Sequence, residues 1–323
     1  MLPRLRDFIL LAFVLVSVAI RGSASPQNSK LLALVPDGAQ IVAGIEDPHN
    51  PMSTGRLLLV THSTNLDFND WVGLTGVDPD RRADEVIEVA ASSANGELYE
   101  HLLLVAGQFD RERIFRAAGQ NGVPTTEYRG QILLVVEPFA REQQEINGTR
   151  WMAILGDHTT IFGSPLLVRQ ALDRYLNRSN PDPLLLNRLG QVNADVNSWN
   201  VLAMSAPLLH RHVAPGQLHA AWTHILDGAD ELTIGIHYGS TDRIDFAVRA
   251  TSGQRLSDLA EILAEPRIIA ASSSAGMHPR FRNLSIEEGR LRGSLLLPGK
   301  EFDRWLASTY ARRSSVVDSE SRP

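Results

Sequence analysis

The stretch ADEVIEVAASS (residues 83–93) is echoed later in the chain by ADELTIGIHYG (residues 229–239). In both, residues alternate with the period of two that is typical of a strand with one buried face. Each is followed by a second strand pattern that ends in a Gly-Gln pair. The offset of 146 positions between the echoes also separates these pairs, Gly107-Gln108 and Gly253-Gln254. The echo therefore raises the hypothesis of an internal duplication.

The fine alternation of the two stretches argues against the duplication. At the offset of 146, Glu88 aligns with Ile234, and an offset of 145 is needed to bring the apolar residues into phase. A slip of one residue moves every side chain of a strand to the opposite face. Two readings therefore stay open: a duplication with length changes, or two unrelated α+β stretches that share a common order of elements.

Three segments have the pattern of a β-hairpin, with apolar runs on either side of a Gly-containing turn. The duplication hypothesis pairs the first of them with the last, and the middle one extends the first half. They are 125–138 turning at Arg129-Gly130, 151–164 turning near Gly156-Asp157, and 283–298 turning at Glu287-Glu288-Gly289.

Amphipathic helices follow these strands in each half. Ser164 and Pro165 have the residue types of a helix N-cap and first turn, and a helix after Gly253 should end before Pro266. Apolar residues recur at helical spacing in three stripes. The stripes are Val168, Ala171, Leu172 and Tyr175; Leu256, Leu259, Ala260 and Leu263; and Phe302, Trp305, Leu306 and Thr309.

The order of these elements predicts an α+β fold built from two similar modules of antiparallel sheet, with helices packed on one face of each. NRSNPDP (177–183) has the composition of a linker, and the C-terminal end has that of a disordered tail. The expected organisation is a signal peptide at 1–24, module 1 at 25–176, a linker at 177–183, module 2 at 184–312 and a tail at 313–323.

The N-terminus has the features of a secretory signal peptide. Arg4 and Arg6 precede an apolar run from Phe8 to Ile20, and small residues follow it up to Ala24. The run is shorter than the roughly 20 residues that span a bilayer. We therefore expect cleavage after Ala24 and an exported, periplasmic or secreted protein without a later membrane span, although an uncleaved anchor remains an alternative.

Composition excludes several kinds of chemistry. The chain has no cysteine, so disulfides, thiolate catalysis and cysteine-bound zinc are excluded. Loss of residues 1–24 removes three arginines and one aspartate and changes the formal net charge from −6 to −8. An acidic chain with scattered arginines is a poor binder of nucleic acid, which we exclude as a partner.

Motifs for catalysis or cofactor binding fail at the residues that the chemistry needs. NADVNSW (193–199) begins like a calcium loop, but Ser198 replaces the turn glycine and Met204 stands at the last ligand position. GSLLLPGKE (293–301) is one residue too long for a phosphate loop and ends on an acid. The serine run ASSSA (271–275) has loop composition, and His62 and Ser63 lack an acid nearby. These patterns assign no catalytic, cofactor-binding or metal-binding residue and no cofactor.

Histidines carry the two remaining hypotheses about a site. His210 and His212 would project to one side of an extended segment and could share a metal ion, whereas His219 and His224 lie on opposite shoulders of the helix expected after Pro215. His158, next to Asp157, lies at a hairpin tip. There the pair indicates turn chemistry rather than an acid–base pair, because a tip does not exclude water.

Several phrases of the first half resemble exported bacterial proteins of uncharacterised families. They are LTGVDPDRRADEV (74–86), GQFDRERI (107–114), YRGQILLV (128–135), LGDHTTIFGSP (155–165) and the opening LLALVPDGAQIVAGIE (31–46). The resemblance covers most of residues 30–176, and its motifs are turns, caps and strand ends. It implies an α+β fold and no particular activity.

The sequence thus favours a non-enzymatic exported protein that binds a protein, a polymer or an apolar ligand on its sheets or between its halves. The alternative is a metal-dependent hydrolase that uses His210 and His212. A tightly bound metal in the native protein would distinguish the two.

Overall fold

A computed structural model of the chain describes residues 26–46, 75, 83–92, 99–136, 149–191, 195–203, 229–237, 241–264 and 280–298. The strands in these ranges are β1 (Ile41–Glu46), β2 (Ala83–Ser92), β3 (Tyr99–Gly107), β4 (Thr125–Tyr128), β5 (Gln131–Val136), β6 (Arg150–Leu155), β7 (Thr159–Gly163), β8 (Ser198–Ala203), β9 (Ala229–His237), β10 (Thr241–Ala250), β11 (Arg280–Glu287) and β12 (Arg290–Pro298). The α-helices are α1 (Arg111–Gln120), α2 (Pro165–Leu176), α3 (Pro183–Leu189) and α4 (Gly253–Ala264), and short 3₁₀ helices cover Pro26–Asn28 and Lys30–Leu34.

All twelve of these strands belong to one antiparallel sheet, in the order β11-β12-β10-β9-β8-β1-β2-β3-β7-β6-β5-β4. The expected α+β class is confirmed in this coarse form, as a mixed fold with more strand than helix. The sheet differs from the expectation of one sheet per module, because β1 pairs with β8 in its middle. Each half thereby removes an exposed edge from the other, an edge that would otherwise offer unpaired backbone groups to a further strand.

The order of strands is the same on both sides of this central pair. Moving outward, the first half presents β1, β2, β3, β7 and β6, and the second half presents β8, β9, β10, β12 and β11. The first half then continues with β5 and β4. The hairpin of residues 283–298 therefore occupies the place of 151–164 and not that of 125–138, with which the duplication hypothesis paired it.

A β-bulge occurs at the same point of each half. Ala83 pairs with Gly107 while Glu85 pairs with Ala106, so Asp84 is the extra residue of β2. In the second half, Ala229 pairs with Ala250 and Glu231 with Arg249, which makes Asp230 the extra residue of β9. The bulges keep the offset of 146 between β2 and β9, and they match Gly107 with Ala250 rather than with Gly253.

The predicted hairpins form with the expected turns. Arg129 and Gly130 both have positive φ angles between β4 and β5, as do Glu288 and Gly289 between β11 and β12. Two consecutive left-handed residues make the type I′ turn whose twist matches that of the strands. The hairpin of β6 and β7 turns over residues 156–158, close to the predicted position.

Helices of the first half cover both faces of the sheet, so the expectation of helices on one face is wrong there. Leu102 and Leu104 of β3 pack in one cluster with α2 and α3. Leu103 and Val105, which alternate with them along β3, pack in a second cluster that includes residues of α1. Because both faces of β3 are buried at this point, residues 102–106 are continuously apolar rather than alternating.

Helix α2 begins at Pro165 as predicted, but two of its details differ. Ser164 has extended backbone angles at the N-cap position and makes no capping hydrogen bond through its side chain. Tyr175, expected in the apolar stripe, is 45% exposed, while Leu167 is buried beside Val168 and Leu172. The buried stripe thus keeps three of its four predicted residues and gains Leu167, while Tyr175 is left at the surface.

The centre of the sheet is packed around Trp199. Its side chain is fully buried and lies directly over Gly44, its register partner on β1. A Cβ atom at residue 44 would lie 2.2 Å from the indole Cζ2 atom. Glycine is thus the residue that lets the indole reach across the central strand pair, where a large buried side chain joins the two halves.

Several expectations lie outside the described residues. They are the signal peptide at 1–24, His62 and Ser63, His210 and His212, the serine run 271–275, the helix over 302–309 and the tail at 313–323. Among the residues that are described, no helix combines the length and the apolar character needed to cross a membrane.

Candidate functional site

A cleft of about 810 Å³ opens on one face of the first half. The 3₁₀ helix Lys30–Leu34 and the C-terminal end of α2 form one side of it. The other side consists of β2 and β3 at the bulge and the start of β7. The residues that line it are Asn28 to Leu31, Ala33, Leu34, Asp84, Glu85, Ala106, Gly107, His158, Thr159, Arg174, Tyr175, Arg178 and Ser179. Its size lies within the range of small-molecule sites.

The 3₁₀ helix is fixed both by a cap and by its apolar residues. Ser29 caps it, with Oγ accepting a hydrogen bond from the Leu31 backbone N–H at 3.1 Å. Leu31, Leu32 and Leu34 are buried in the cluster that includes α2. The cleft wall on this side is therefore anchored by core packing rather than by the surface alone.

Arg174 fixes the position of α2 against the same segment. Its Nε donates to the Ala33 carbonyl at 2.9 Å, its Nη1 lies 2.6 Å from an Asp37 carboxylate oxygen, and its Nη2 donates to the Asn180 carbonyl. All three nitrogens of the guanidinium are thus engaged by the protein. Arg174 lines the cleft as part of its wall, and its charge is already paired.

Glu85 is a partly buried ionisable group in the lining of the cleft. Burial raises the pKa of its carboxyl, a hydrogen bond from the Ser29 side chain lowers it by a smaller amount, and the resulting pKa is about 6. Within the described ranges its Oε1 atom is buried and has no hydrogen-bond partner, and no basic side chain forms an ion pair with it. At neutral pH this part of the site therefore holds a desolvated carboxylate that lacks a cation.

The second half has a glutamate at the matching place. Glu85 and Glu231 each follow the extra residue of a bulge, at the offset of 146. The register continues the match across the next two strands of each half. The row Glu85, Ala106 and Thr159 corresponds to the row Glu231, Arg249 and Arg290.

Glu231 is surrounded by arginine. Its side chain is 2% exposed and forms ion pairs with Arg290 from β12 and, at 2.8 Å, with Arg188 from α3. The Arg249 guanidinium lies 3.8 Å away. Burial alone would raise the pKa of Glu231, but the hydrogen bonds and charges of Arg290 and Arg188 outweigh burial and lower it. This carboxylate is therefore held ionised by the chain itself.

His158 and Asp157 lie at the exposed β6–β7 turn, as expected for a hairpin tip. Their carbonyl oxygens accept hydrogen bonds from the backbone N–H groups of Gly107 and Phe109, at 2.9 and 2.8 Å. The tip nevertheless forms part of the cleft wall and of a second, smaller cavity beside α1. His210 and His212 lie outside the described residues. In the ranges that are described, no group of three or more His, Asp or Glu side chains could hold a metal ion.

The Ala-Asp-Glu phrase stands out in the sequence, but the chemistry of its glutamate does not. A signal was present, since both Glu85 and Glu231 follow an aspartate and directly precede an apolar residue of a strand pattern. Which of the two carries a cation depends on residues of β7, β12 and α3 that are distant in sequence. Comparison with family models, curated proteins and solved structures finds no match for this chain.

Proposed function

We propose that the protein is a non-enzymatic exported binding protein and that the cleft beside Glu85 is its ligand site. Export is inferred from the signal-peptide pattern of residues 1–24. The absence of complete catalytic motifs from the sequence favours binding over catalysis. The cleft supplies what a small-molecule site needs, which is apolar walls with a few polar groups that fix orientation.

The observation that carries this proposal is the carboxylate of Glu85, which lies in the cleft without a cationic partner among the described residues. A desolvated carboxylate that lacks a cation disfavours the folded protein at neutral pH, because the hydrogen bond from Ser29 only partly replaces the hydration that its charged form has lost. Strongly perturbed ionisable groups in clefts are concentrated at functional sites. Ser29 and Glu85 therefore provide a polar end, and Leu31, Ala33 and Leu34 an apolar wall, for one ligand.

We also propose that the two halves derive from a duplication and have since diverged. The shared strand order, the paired bulges and the register match of three consecutive strands support it. Related modules would start with the same buried glutamate. In the second half arginines then occupy the space beside it, and in the first half the corresponding positions stay small.

Native mass spectrometry of protein taken from the exporting compartment tests the binding function. Ala106→Trp places a large side chain in the cleft, and Ile132→Trp is the matched control, since Ile132 is an exposed residue of β5 away from the cleft. We expect a non-covalent small-molecule adduct on the native protein and on the control, and none on Ala106→Trp. An adduct-free native protein, or the same adduct on all three, would contradict the proposal.

A further inference from the structure

We infer that the cleft binds an alkyl cation, a guanidinium or a primary ammonium, whose charged end pairs with Glu85. This inference rests on the proposed binding function and specifies its ligand class. Three features of the described residues support it. They are the register match between Glu85 and the arginine cluster, which is Glu231 with Arg188 and Arg290, the shape of the cleft, and the charges that line the cleft.

The register match shows which chemical group suits this position. At the corresponding glutamate, guanidinium groups approach from the strand two places away, through Arg290, and from a helix, through Arg188. In the first half Thr159 stands in place of Arg290 and Ala106 in place of Arg249. Both small residues line the cleft. The open space beside Glu85 thus includes the positions from which the chain supplies arginine in the second half.

The shape of the cleft suits a cation on an aliphatic arm. Its volume of about 810 Å³ is larger than a single guanidinium requires. Leu31, Ala33, Leu34 and Ala106 provide apolar surface along the way to the carboxylate. Long cationic side chains pack in the same manner, with an apolar stem along apolar surface and a charged head at a polar partner.

Glu85 is an anion of the cleft lining with which no basic side chain of the described residues forms an ion pair. Arg174 is engaged by Asp37 and by two carbonyl groups. In the described part of the chain, Lys30 and Arg178 line the cleft without forming an ion pair with Glu85, and Asp84 adds a second acidic group. Charged or titratable groups that line the cleft are Lys30, Asp84, Glu85, His158, Arg174, Tyr175 and Arg178.

Isothermal titration calorimetry of the full chain with three probes tests the inference. The probes are agmatine, N-acetyl-arginine amide and, as an uncharged alkyl control, 1-pentanol. We expect agmatine to bind at pH 7.5, and 1-pentanol to bind at least about tenfold more weakly, since a desolvated charge pair contributes more than an apolar contact of the same size. Binding of N-acetyl-arginine amide as well would support the inference and identify an arginine side chain of a peptide as a second source of the same group.

Variants distinguish the contribution of the Glu85 charge from that of the shape of the cleft. Glu85→Gln keeps the shape of the side chain and should weaken agmatine binding at least about tenfold. Glu261→Gln, at an exposed site on α4, should leave the affinity for agmatine unchanged. Thr159→Arg supplies the guanidinium from within and should abolish agmatine binding. Equal affinity of Glu85→Gln and the native protein, or equal affinity of pentanol and agmatine, would overturn the inference.

The failure of this inference is distinguishable from failure of the binding function. If pentanol binds as tightly as agmatine and Ala106→Trp abolishes both, the cleft is a binding site but not a cation site. If the native protein carries no adduct and none of the probes binds, both proposals are wrong.

Discussion

Glu85 and Glu231 occupy matching places in the two halves and have opposite electrostatic surroundings. Glu231 contacts two arginines and is held ionised, while burial favours the protonated form of Glu85. The backbone does not account for the difference, because each glutamate follows a bulge on the second strand from the junction. Residues on neighbouring elements account for it, chiefly Arg290 of β12 and Arg188 of α3 in the second half. In the first half, Thr159 stands in the place of Arg290.

The comparison teaches how one backbone arrangement supports either an ion-pair cluster or an open cleft. Where the chain supplies cations, the buried glutamate joins β9, β12 and α3 into one cluster. Where it supplies small residues, the same position lines a cleft, and burial raises the pKa of its carboxyl. Features that cost stability without a structural return are expected at functional sites.

The largest expected effect is at the arginine cluster. Glu231→Gln should lower the free energy of unfolding by about 3–5 kcal/mol at pH 7, because it leaves buried guanidinium groups without their anion. Urea denaturation measures it. Glu287→Gln is the control, since the Glu287 pair with Arg292 is exposed and should contribute no more than about 1 kcal/mol. Equal losses in the two variants would remove the contrast between the halves.

The junction between the halves should show the next largest effect. Gly44→Ala places a methyl group against the Trp199 indole and should destabilise by about 3 kcal/mol, at the upper end of the usual penalty for overpacking. Gly119→Ala in α1 meets no atom within 4 Å and should stabilise by up to about 1 kcal/mol, as expected for alanine in a helix. Thermal unfolding compares them. If Gly44→Ala left the thermal stability unchanged, the paired strands β1 and β8 would be able to move apart enough to accept the methyl group.

A pH series tests the cost of the Glu85 carboxylate. The folded pKa of Glu85 is about 6, above its ordinary value of 4.5, so the folded state holds this proton more tightly than the unfolded state. Its contribution to stability is present below pH 4.5 and is lost as the pH rises through 6, a loss of about 2 kcal/mol. Glu85→Gln should therefore gain stability relative to the native protein by about that amount between pH 4.5 and pH 7. A relative loss over the same interval would show that Glu85 has a cationic partner.

In the same pH series, the contribution of Glu231 to stability should change in the opposite direction. Its pKa is lowered in the folded protein, so its contribution is present above its unfolded pKa and is lost as the pH falls through the folded pKa. The stability gap between the native protein and Glu231→Gln should thus narrow in acid. A gap that widens in acid would contradict the ionised cluster.

The smallest effect is expected at the margin of the cluster. Arg249 is 49% exposed and lies 3.8 Å from Glu231, so Arg249→Ala should change the free energy of unfolding by less than about 1 kcal/mol. Arg290→Ala, which removes a mostly buried partner, should cost several times more. Similar losses of unfolding free energy in the two variants would show that all three arginines stabilise Glu231 equally, rather than Arg290 and Arg188 alone.

Local features of the fold were predictable from the sequence, and long-range ones were not. Period-two alternation and Gly-containing turns located β2, β9 and the hairpins, because both signals are encoded within about ten residues. The pairing of β1 with β8 depends on Gly44 accommodating Trp199 across the chain. The sequence comparison also matched the wrong hairpins, since turn residues do not encode a place in the sheet.

The candidate site was hidden for a related reason. Its key residue, Glu85, lies in a phrase that the sequence comparison had singled out, yet its chemistry depends on what stands opposite. Ala106 and Thr159 are small and uncharged, and neither residue type signals a site by itself. In the sequence, histidines indicated a possible site because they are common metal ligands. In the structure, the candidate site contains a carboxylate beside two small residues.

A carbon-detected NMR titration of the glutamate carboxyls tests the central claim most directly. In the native protein we expect the pKa of Glu85 to be about 6 and that of Glu231 to lie below the ordinary glutamate value. In the double variant Ala106→Arg and Thr159→Arg, the Glu85 pKa should fall below that value as well, because the row then matches that of the second half. Indistinguishable titrations in the native protein, or a Glu85 pKa unmoved in a double variant whose amide spectrum shows it folded, would contradict the account.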